Sequence, residues 1–141
     1  MNEQNDQLWN AGTDDNPVKT EYDPCPEGWR VPTYAELSEL NQNYSSWTTD
    51  NNGQTCYYFS GSESYSSTVS QVFFPAAGDR SYYDGIASYR GYSGGYWSSR
   101  PTSTLASRLG FYSSRVGVDN CHRASGFSVR CVQATDEVAE L

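Results

Sequence analysis

The segment LASRLGFYSS, residues 105–114, has the clearest strand pattern of the chain. Apolar Leu109 and Phe111 alternate with polar or small residues, which is the period of two shown by a strand with one buried face. We therefore expect both apolar side chains to point into a core. The residues predicted to point outward are Arg108, Gly110 and Tyr112.

The next segment, RVGVDNCHRASGFSVRCV at 115–132, combines two kinds of sequence. Its last part, 126–132, alternates in the same way, with Phe127 and Val129 on the apolar side, and predicts a closing strand. Residues 115–125 instead carry a row of unrelated polar chemistries at positions predicted to be exposed. A segment with a clear strand pattern, 126–132, thus follows a segment, 115–125, whose exposed positions show no common chemistry.

One helix is predicted upstream. Thr33 followed by Glu36 forms a capping-box pattern, and Leu37 and Leu40 would share one face of a helix from about Tyr34 to Asn41. Further short strands are predicted from apolar and aromatic runs bounded by turn residues. These runs are TCYYFSG (55–61), the buried and Pro75-terminated QVFFPAAGDR (71–80), and GYWSS (95–99), which follows a Tyr-Gly-Ser loop over 81–95.

Length and composition indicate a single domain with a polar, hydrated surface. The chain has 141 residues, and its 12 Tyr against 5 Phe make the aromatic content 15%. Tyr and Ser are residues that binding loops use, because Tyr gives a large contact area with few rotatable bonds. The same composition also fits a secreted β-rich domain without a binding role. Both interpretations stay open at this point.

The charge distribution excludes one class of partner. The formal net charge is −8, and much of the acid lies near the two ends. Binding to nucleic acid needs clustered Lys and Arg, so none is predicted. No apolar run reaches membrane-spanning length and no signal peptide is visible, so we expect a leader to have been removed. We divide the chain into a loosely held polar lead segment (1–21), a domain (22–133) and an acidic tail (134–141).

The four cysteines permit three pairings. With no Cys-x-x-Cys pair and a single His, a metal site is not predicted. We favour a disulfide between Cys25 and Cys131, which would tie the start of the fold to its last strand. Cys121 would then either pair with Cys56 or remain a thiol. A disulfide indicates an oxidising compartment, so we expect a secreted or surface protein of a cell or phage particle.

Five blocks occur in order between residues 23 and 132: DPCPEGWRVPTYAEL, VFFPAAGDR, GYWSS, LGF and GFSVRCV. Their succession resembles the FISUMP family, the Fibrobacter succinogenes major paralogous domain. The resemblance implies the α+β class and a C-type-lectin-like fold, with short antiparallel strands, one main helix and long irregular loops. In that fold the first and last strands pair, which would bring Cys25 beside Cys131.

The C-terminal segment also resembles the variable proteins of diversity-generating retroelements from gut Bacteroides-type bacteria and their phages. There a reverse transcriptase randomises adenines in Asn codons, and the outcomes exclude Lys, Glu, Gln, Met and Trp. Residues 98–132 contain none of those five types. The resemblance implies a constant apolar frame, assigned to Trp97, Leu105, Leu109, Phe111, Val116, Val118, Phe127 and Val129. The predicted variable, ligand-binding positions are Arg100, Ser107, Arg108, Gly110, Tyr112, Arg115, Gly117, Asp119, Asn120, Cys121, His122 and Ser125.

The functional expectation is a diversified protein that binds a protein or a glycan on another cell or phage, without a cofactor. An undiversified adhesive or structural domain of a surface or fimbrial assembly is the first alternative. The second is an enzyme related to formylglycine-generating enzymes. Catalysis is not predicted, because Cys121 and His122 would face opposite sides of a strand with no third orienting group. Calcium is not predicted either, since Asp119 is the only acid between Gly85 and Ala134.

Five tyrosines upstream of the C-terminal segment have three possible roles. They could stack on sugars, pack on a protein, or cover the edge of the core with their hydroxyl groups in water. The sequence does not choose among these roles. The residues are Tyr82, Tyr83, Tyr89, Tyr92 and Tyr96.

Overall fold

The computed structural model describes residues 4–40, 44–49, 52–60 and 71–134. In this part of the chain, ten strands form four small antiparallel sheets beside one short helix. The elements in chain order are β1 (Trp29–Arg30), α1 (Tyr34–Ser38), β2 (Ser45–Thr49), β3 (Thr55–Ser60), β4 (Gln71–Pro75), β5 (Asp79–Arg80), β6 (Ala87–Ser88), β7 (Ser93–Thr102), β8 (Leu105–Tyr112), β9 (Arg115–His122) and β10 (Val132–Gln133).

The predicted α+β class, with a C-type-lectin-like fold and one main helix, is wrong. The capping box at Thr33 and Glu36 is present, but α1 has only five residues. Its end tightens because the amides of Glu39 and Leu40 bond to carbonyls three residues back, at Glu36 and Leu37. Asn41, the predicted last residue, lies outside the described residues. Strands therefore dominate the described architecture, and the helix contributes one buried side chain, that of Leu37.

Two three-stranded sheets enclose the core. β7, β8 and β9 form one sheet, and β2, β3 and β4 form the other. The rings between them meet edge to face, for example Tyr57 on Phe111 with centroids 5.2 Å apart and Phe74 on Tyr96 at 4.9 Å. This aromatic packing fixes the inner face of the β7–β8–β9 sheet. The buried cluster consists of Leu37, Tyr57, Phe59, Phe74, Ala76, Tyr96, Leu109 and Phe111.

Most of the strand predictions are confirmed. Runs 55–61, 71–80, 95–99 and 105–114 contain β3, β4, part of β7 and β8. The prediction that 71–80 is a buried strand is wrong in part, because Val72 is exposed and, within the described ranges, β4 pairs with no strand other than β3. β8 alternates as predicted, with Leu109 and Phe111 buried.

The interpretation of 115–132 is reversed. Residues 115–122, without a clear pattern, form the regular strand β9, which pairs with β8 along its whole length. The prediction of one strand over 126–132 is wrong. Before β10 begins at Val132, this segment makes isolated bridges, from Gly126 to Arg80 and from Ser128 to Tyr96. The first bridge joins the segment to β5 and the second joins it to β7, so the segment does not form a continuous ladder with one strand. Regular pairing resumes only at β10.

The ends of the fold are closed as predicted. β10 pairs with β1, and a disulfide joins Cys25 to Cys131 across 106 residues of sequence, with Cα atoms 5.8 Å apart. Cys121 carries a free thiol, so the alternative in which it pairs with Cys56 is not realised.

The lead segment contacts the domain, so the expectation that it is loosely held is wrong for residues 4–21. The Asp14 carboxylate accepts hydrogen bonds from the amides of Tyr34 and Ala35 at the start of α1. Asp6 forms an ion pair with Arg123 at 2.8 Å. Asp6 and Asp14 of the lead segment thus accept hydrogen bonds from, or pair with, groups of the domain. Most of the predicted acidic tail, 135–141, lies outside the described residues.

Candidate ligand-binding site

A groove crosses the outward face of the β7–β8–β9 sheet. Gly95, Gly110 and Gly117 are register partners across the three strands. Of these three, Gly110 and Gly117 line the groove, whereas the Phe127 ring covers Gly95. Side chains two residues to either side point the same way and form walls about 13 Å apart, from four residues of strand rise. The result is a cavity of about 380 Å³. Its floor includes Gly110 and Gly117, which the register of β8 and β9 places opposite each other.

One wall of the groove is the Arg108 side chain, whose guanidinium is held by two contacts. The Arg108 Nε lies 3.0 Å from an Asp119 carboxylate oxygen, and the two residues are register partners on β8 and β9. The Arg108 guanidinium also lies over the Phe127 ring, 4.5 Å from its centroid. These two contacts hold the guanidinium in position along the edge of the groove.

The other wall is more open. Tyr112 and Arg115 are register partners beside the turn that joins β8 and β9, and both are exposed. Among the described residues, the Arg115 guanidinium has no ion-pair partner. Tyr89 and Tyr92 close this side from the preceding loop. The groove therefore offers a ligand one unpaired guanidinium and three tyrosine rings.

The glycines differ in their tolerance of a side chain. A Cβ on Gly110 would have Arg108 side-chain atoms, at 3.2 Å, as its nearest neighbours, and a Cβ on Gly117 would have nothing nearer than the Arg115 side chain at 3.9 Å. A Cβ on Gly94 or Gly95 would instead lie within 2.5 Å of an aromatic ring. Gly110 and Gly117, the two glycines predicted to vary, are thus the two that accept substitution on this face.

The structure brings half of the predicted variable positions together in this groove. They are Arg108, Gly110, Tyr112, Arg115, Gly117 and Asp119. Asn120, Cys121 and His122 form the far end of β9, where the His122 ring stacks on Tyr82 with centroids 3.8 Å apart. Arg100 and Ser125 line a second cavity of about 470 Å³, formed between the lead segment and the Trp97 and Phe127 rings.

The prediction that Ser107 points outward is wrong. Ser107 is fully buried, because it lies two residues before Leu109 and shares its inward face. Its hydroxyl bonds to the hydroxyl of Ser98, which also donates to the Ser107 carbonyl at 2.9 Å. A larger side chain would break this buried pair, so Ser107 belongs to the frame.

The predicted apolar frame is buried to different degrees. Trp97, Leu109 and Phe111 are buried. The remaining five residues are partly buried, and Val116 packs against the core cluster. Those five are Leu105, Val116, Val118, Phe127 and Val129.

Part of the groove was not predicted from the sequence. Asp79, Ser93, Tyr89 and Tyr92 line it but lie upstream of the predicted variable segment. The signal available for the tyrosines was the density of Tyr in the 81–95 loop. Of the five tyrosines left undecided, only Tyr96 is buried; the other four are exposed.

Cys121 lacks the surroundings of a reactive thiol. Burial raises its pKa, the Arg108 charge lowers it, and the Asp119 carboxylate, 3.9 Å from the sulfur, raises it further. The net direction is upward, which keeps the thiol protonated at neutral pH. The described residues contain no group of three or more His, Cys, Asp or Glu placed to hold a metal ion.

Comparison with known proteins gives one match. A family model described as a domain of unknown function, DUF8237, matches residues 42–132, more than half of the chain. The chain belongs to the DUF8237 family. The matched range includes the groove strands β7, β8 and β9, whereas β1, α1 and the lead segment precede it. No curated protein and no solved structure gives a match. Within the described residues, no helix is long and apolar enough to cross a membrane.

Proposed function

We propose that this DUF8237 protein binds a protein or glycan ligand through the groove on its β7–β8–β9 sheet, and that a retroelement diversifies the groove positions. The observation that carries the proposal is the convergence of six predicted variable positions on one cavity. Strand alternation separates these side chains from the core residues on the same strands. A surface of this kind can change its chemistry at little cost in stability, because exposed substitutions usually change it by less than about 0.5 kcal/mol.

The two open glycines add independent support. A diversified position must accept many residue types, and the nearest neighbours of a Cβ added at Gly110 or Gly117 would be atoms of flexible arginine side chains. Gly94 and Gly95, where an added Cβ would lie within 2.5 Å of an aromatic ring, precede the predicted variable segment 98–132. Steric tolerance therefore agrees with the predicted variable positions at these two glycines.

A binding role agrees better with the chemistry than catalysis does. The thiol of Cys121 has a raised pKa, and the His122 ring is stacked on Tyr82. We place the protein outside the cytoplasm, secreted or on the surface of a cell or phage particle. The support for this location is the Cys25–Cys131 disulfide.

A selection experiment tests the binding surface. The six groove positions would be randomised to the residue types that the retroelement can produce, displayed on phage, and selected on immobilised lysozyme as a model target. We expect folded binders with dissociation constants below about 1 μM, in the range of weak natural recognition. A control library would randomise six exposed positions elsewhere: Glu21, Tyr22, Glu27, Ala35, Ser38 and Glu39.

Two results would count against this proposal. One is a groove library that yields no more binders than the control library. The other is a set of groove clones that is mostly unfolded. Diversification itself is tested in the genome: a nearby copy of the 98–132 coding segment that differs only at adenines, beside a reverse transcriptase gene, is expected, and its absence would favour an undiversified adhesive domain.

A further inference from the structure

The loop before β7 presents a ridge of exposed apolar side chains. Tyr83 is 87% exposed and Tyr92 is 76% exposed, although both are large aromatic residues. Tyr89 and Tyr92 also line the groove, so ridge and groove form one continuous surface. We call this set the tyrosine ridge; its members are Tyr82, Tyr83, Ile86, Tyr89 and Tyr92.

The ridge is held in place by its own backbone. β5 and β6 pair, the amide of Ser81 donates to the carbonyl of Ile86, and the amide of Gly85 donates to the carbonyl of Ser81. The Arg80 guanidinium closes the same turn by donating to the Gly85 carbonyl at 3.0 Å. A ligand that contacts a preordered ridge loses less free energy to the ordering of side chains and loops.

The composition of this surface is that of a protein interface. Apart from Arg100, which lines the second cavity, residues 79–119 carry four arginines, no lysine and three aspartates, a net charge of +1 in a chain whose net charge is −8. Protein interfaces are enriched in aromatic residues and Arg and depleted in Lys and Glu. Of the four exposed tyrosines, Tyr89 and Tyr92 line the groove, and Tyr82 and Tyr83 extend the aromatic surface beyond it. Within the groove, Arg108 is paired with Asp119, whereas the Arg115 guanidinium has no ion-pair partner among the described residues, and this favours an acidic partner.

We propose that the tyrosine ridge is the constant half of a composite binding surface and that its partner is an acidic polypeptide segment lying along ridge and groove. This inference rests on the proposed function. The ridge lies upstream of residues 98–132, so it keeps its chemistry while the groove positions change. It supplies general affinity through aromatic contacts, and the groove supplies selectivity.

The test uses the full chain with its disulfide intact. A phage library of random 12-residue peptides would be selected on the wild-type protein, and the same protein would be applied to an array of neutral and acidic glycans. We expect peptides enriched in Asp and Glu. The double variant Tyr83→Ala/Tyr92→Ala should weaken their binding at least tenfold, and Tyr112→Ala/Arg115→Ala should also weaken it. Tyr22→Ala, at a tyrosine 62% exposed outside this surface, is the matched control and should change binding less than twofold.

The outcomes separate the two proposals. If peptides bind the Tyr112→Ala/Arg115→Ala variant more weakly but bind the Tyr83→Ala/Tyr92→Ala variant as they bind the wild type, the ridge inference is overturned and the proposed function stands. Peptides without acidic enrichment would overturn the charge argument, and binding to glycans alone would overturn the polypeptide partner. Absence of binding on both platforms would contradict the inference and the proposed function together. Thermal unfolding of each variant shows whether a loss of binding reflects a loss of fold.

Discussion

Replacement of Cys25 and Cys131 by serine is expected to lower the free energy of unfolding by about 4 kcal/mol, the largest effect that we predict. The disulfide closes a loop with a sequence separation of 106 residues. In the chain-entropy model a loop of about that size is worth about 4.7 kcal/mol, because the cross-link restricts the unfolded chain. β1 and β10 have only two residues each, so their pairing alone cannot replace the link.

Urea unfolding of the oxidised wild type and the double serine variant measures this effect. Cys121→Ser is the matched control, because it removes a thiol that is part of no disulfide, and it should change stability by less than about 1 kcal/mol. A double variant as stable as the control would show that sheet packing, not the cross-link, closes the fold.

Truncation of the Leu109 side chain, on the central strand β8, should cause the second largest loss of stability. Leu109 is fully buried in the middle of β8, between β7 and β9. Leu109→Ala removes core packing and leaves a cavity, which typically costs 2–5 kcal/mol, and we expect about 3 kcal/mol here. Urea unfolding again provides the measurement.

The matched control for Leu109 lies three residues further along the same strand. Tyr112 is larger than Leu109, but its ring points outward and is 47% exposed. Tyr112→Ala should therefore cost less than about 1 kcal/mol, since the backbone carbonyl that accepts the Tyr57 hydroxyl is retained. Equal losses in the two variants would mean that the outward face also supports the core.

The part of the fold that the sequence could predict is the part encoded by local alternation. In β8, Leu109 and Phe111 alternate with outward residues, and the structure has them buried. β9 was not among the predicted regular strands, although the facing of Cys121 and His122 was argued as in a strand, because its outward residues share no chemistry. Its regularity comes from pairing with β8. Phe127 and Val129 are partly buried, but so is Ser128 between them, and burial does not require a continuous ladder.

The candidate site required information that one segment does not contain. The glycine row exists because the two-residue turn at Ser113 and Ser114 sets Gly110 opposite Gly117, and this register is not readable from either strand alone. Ser107 was misassigned because it is polar, although its spacing from Leu109 and Phe111 sets it on their inward face; the buried hydroxyl is satisfied by Ser98 on the neighbouring strand. The capping box predicted where α1 starts, but its early end was not predictable from the Leu37 and Leu40 spacing.

The proposed site depends on groove side chains that can be exchanged without loss of the fold. A protease-resistance scan of a displayed library, with every residue type at each position from 105 to 122, measures this exchangeability position by position. We predict a period of two along β8: full tolerance at 108, 110 and 112, and intolerance at 107, 109 and 111. On β9, positions 115, 117 and 119 should be equally tolerant. Similar losses of resistance at inward and outward positions would contradict the separation of the groove from the core.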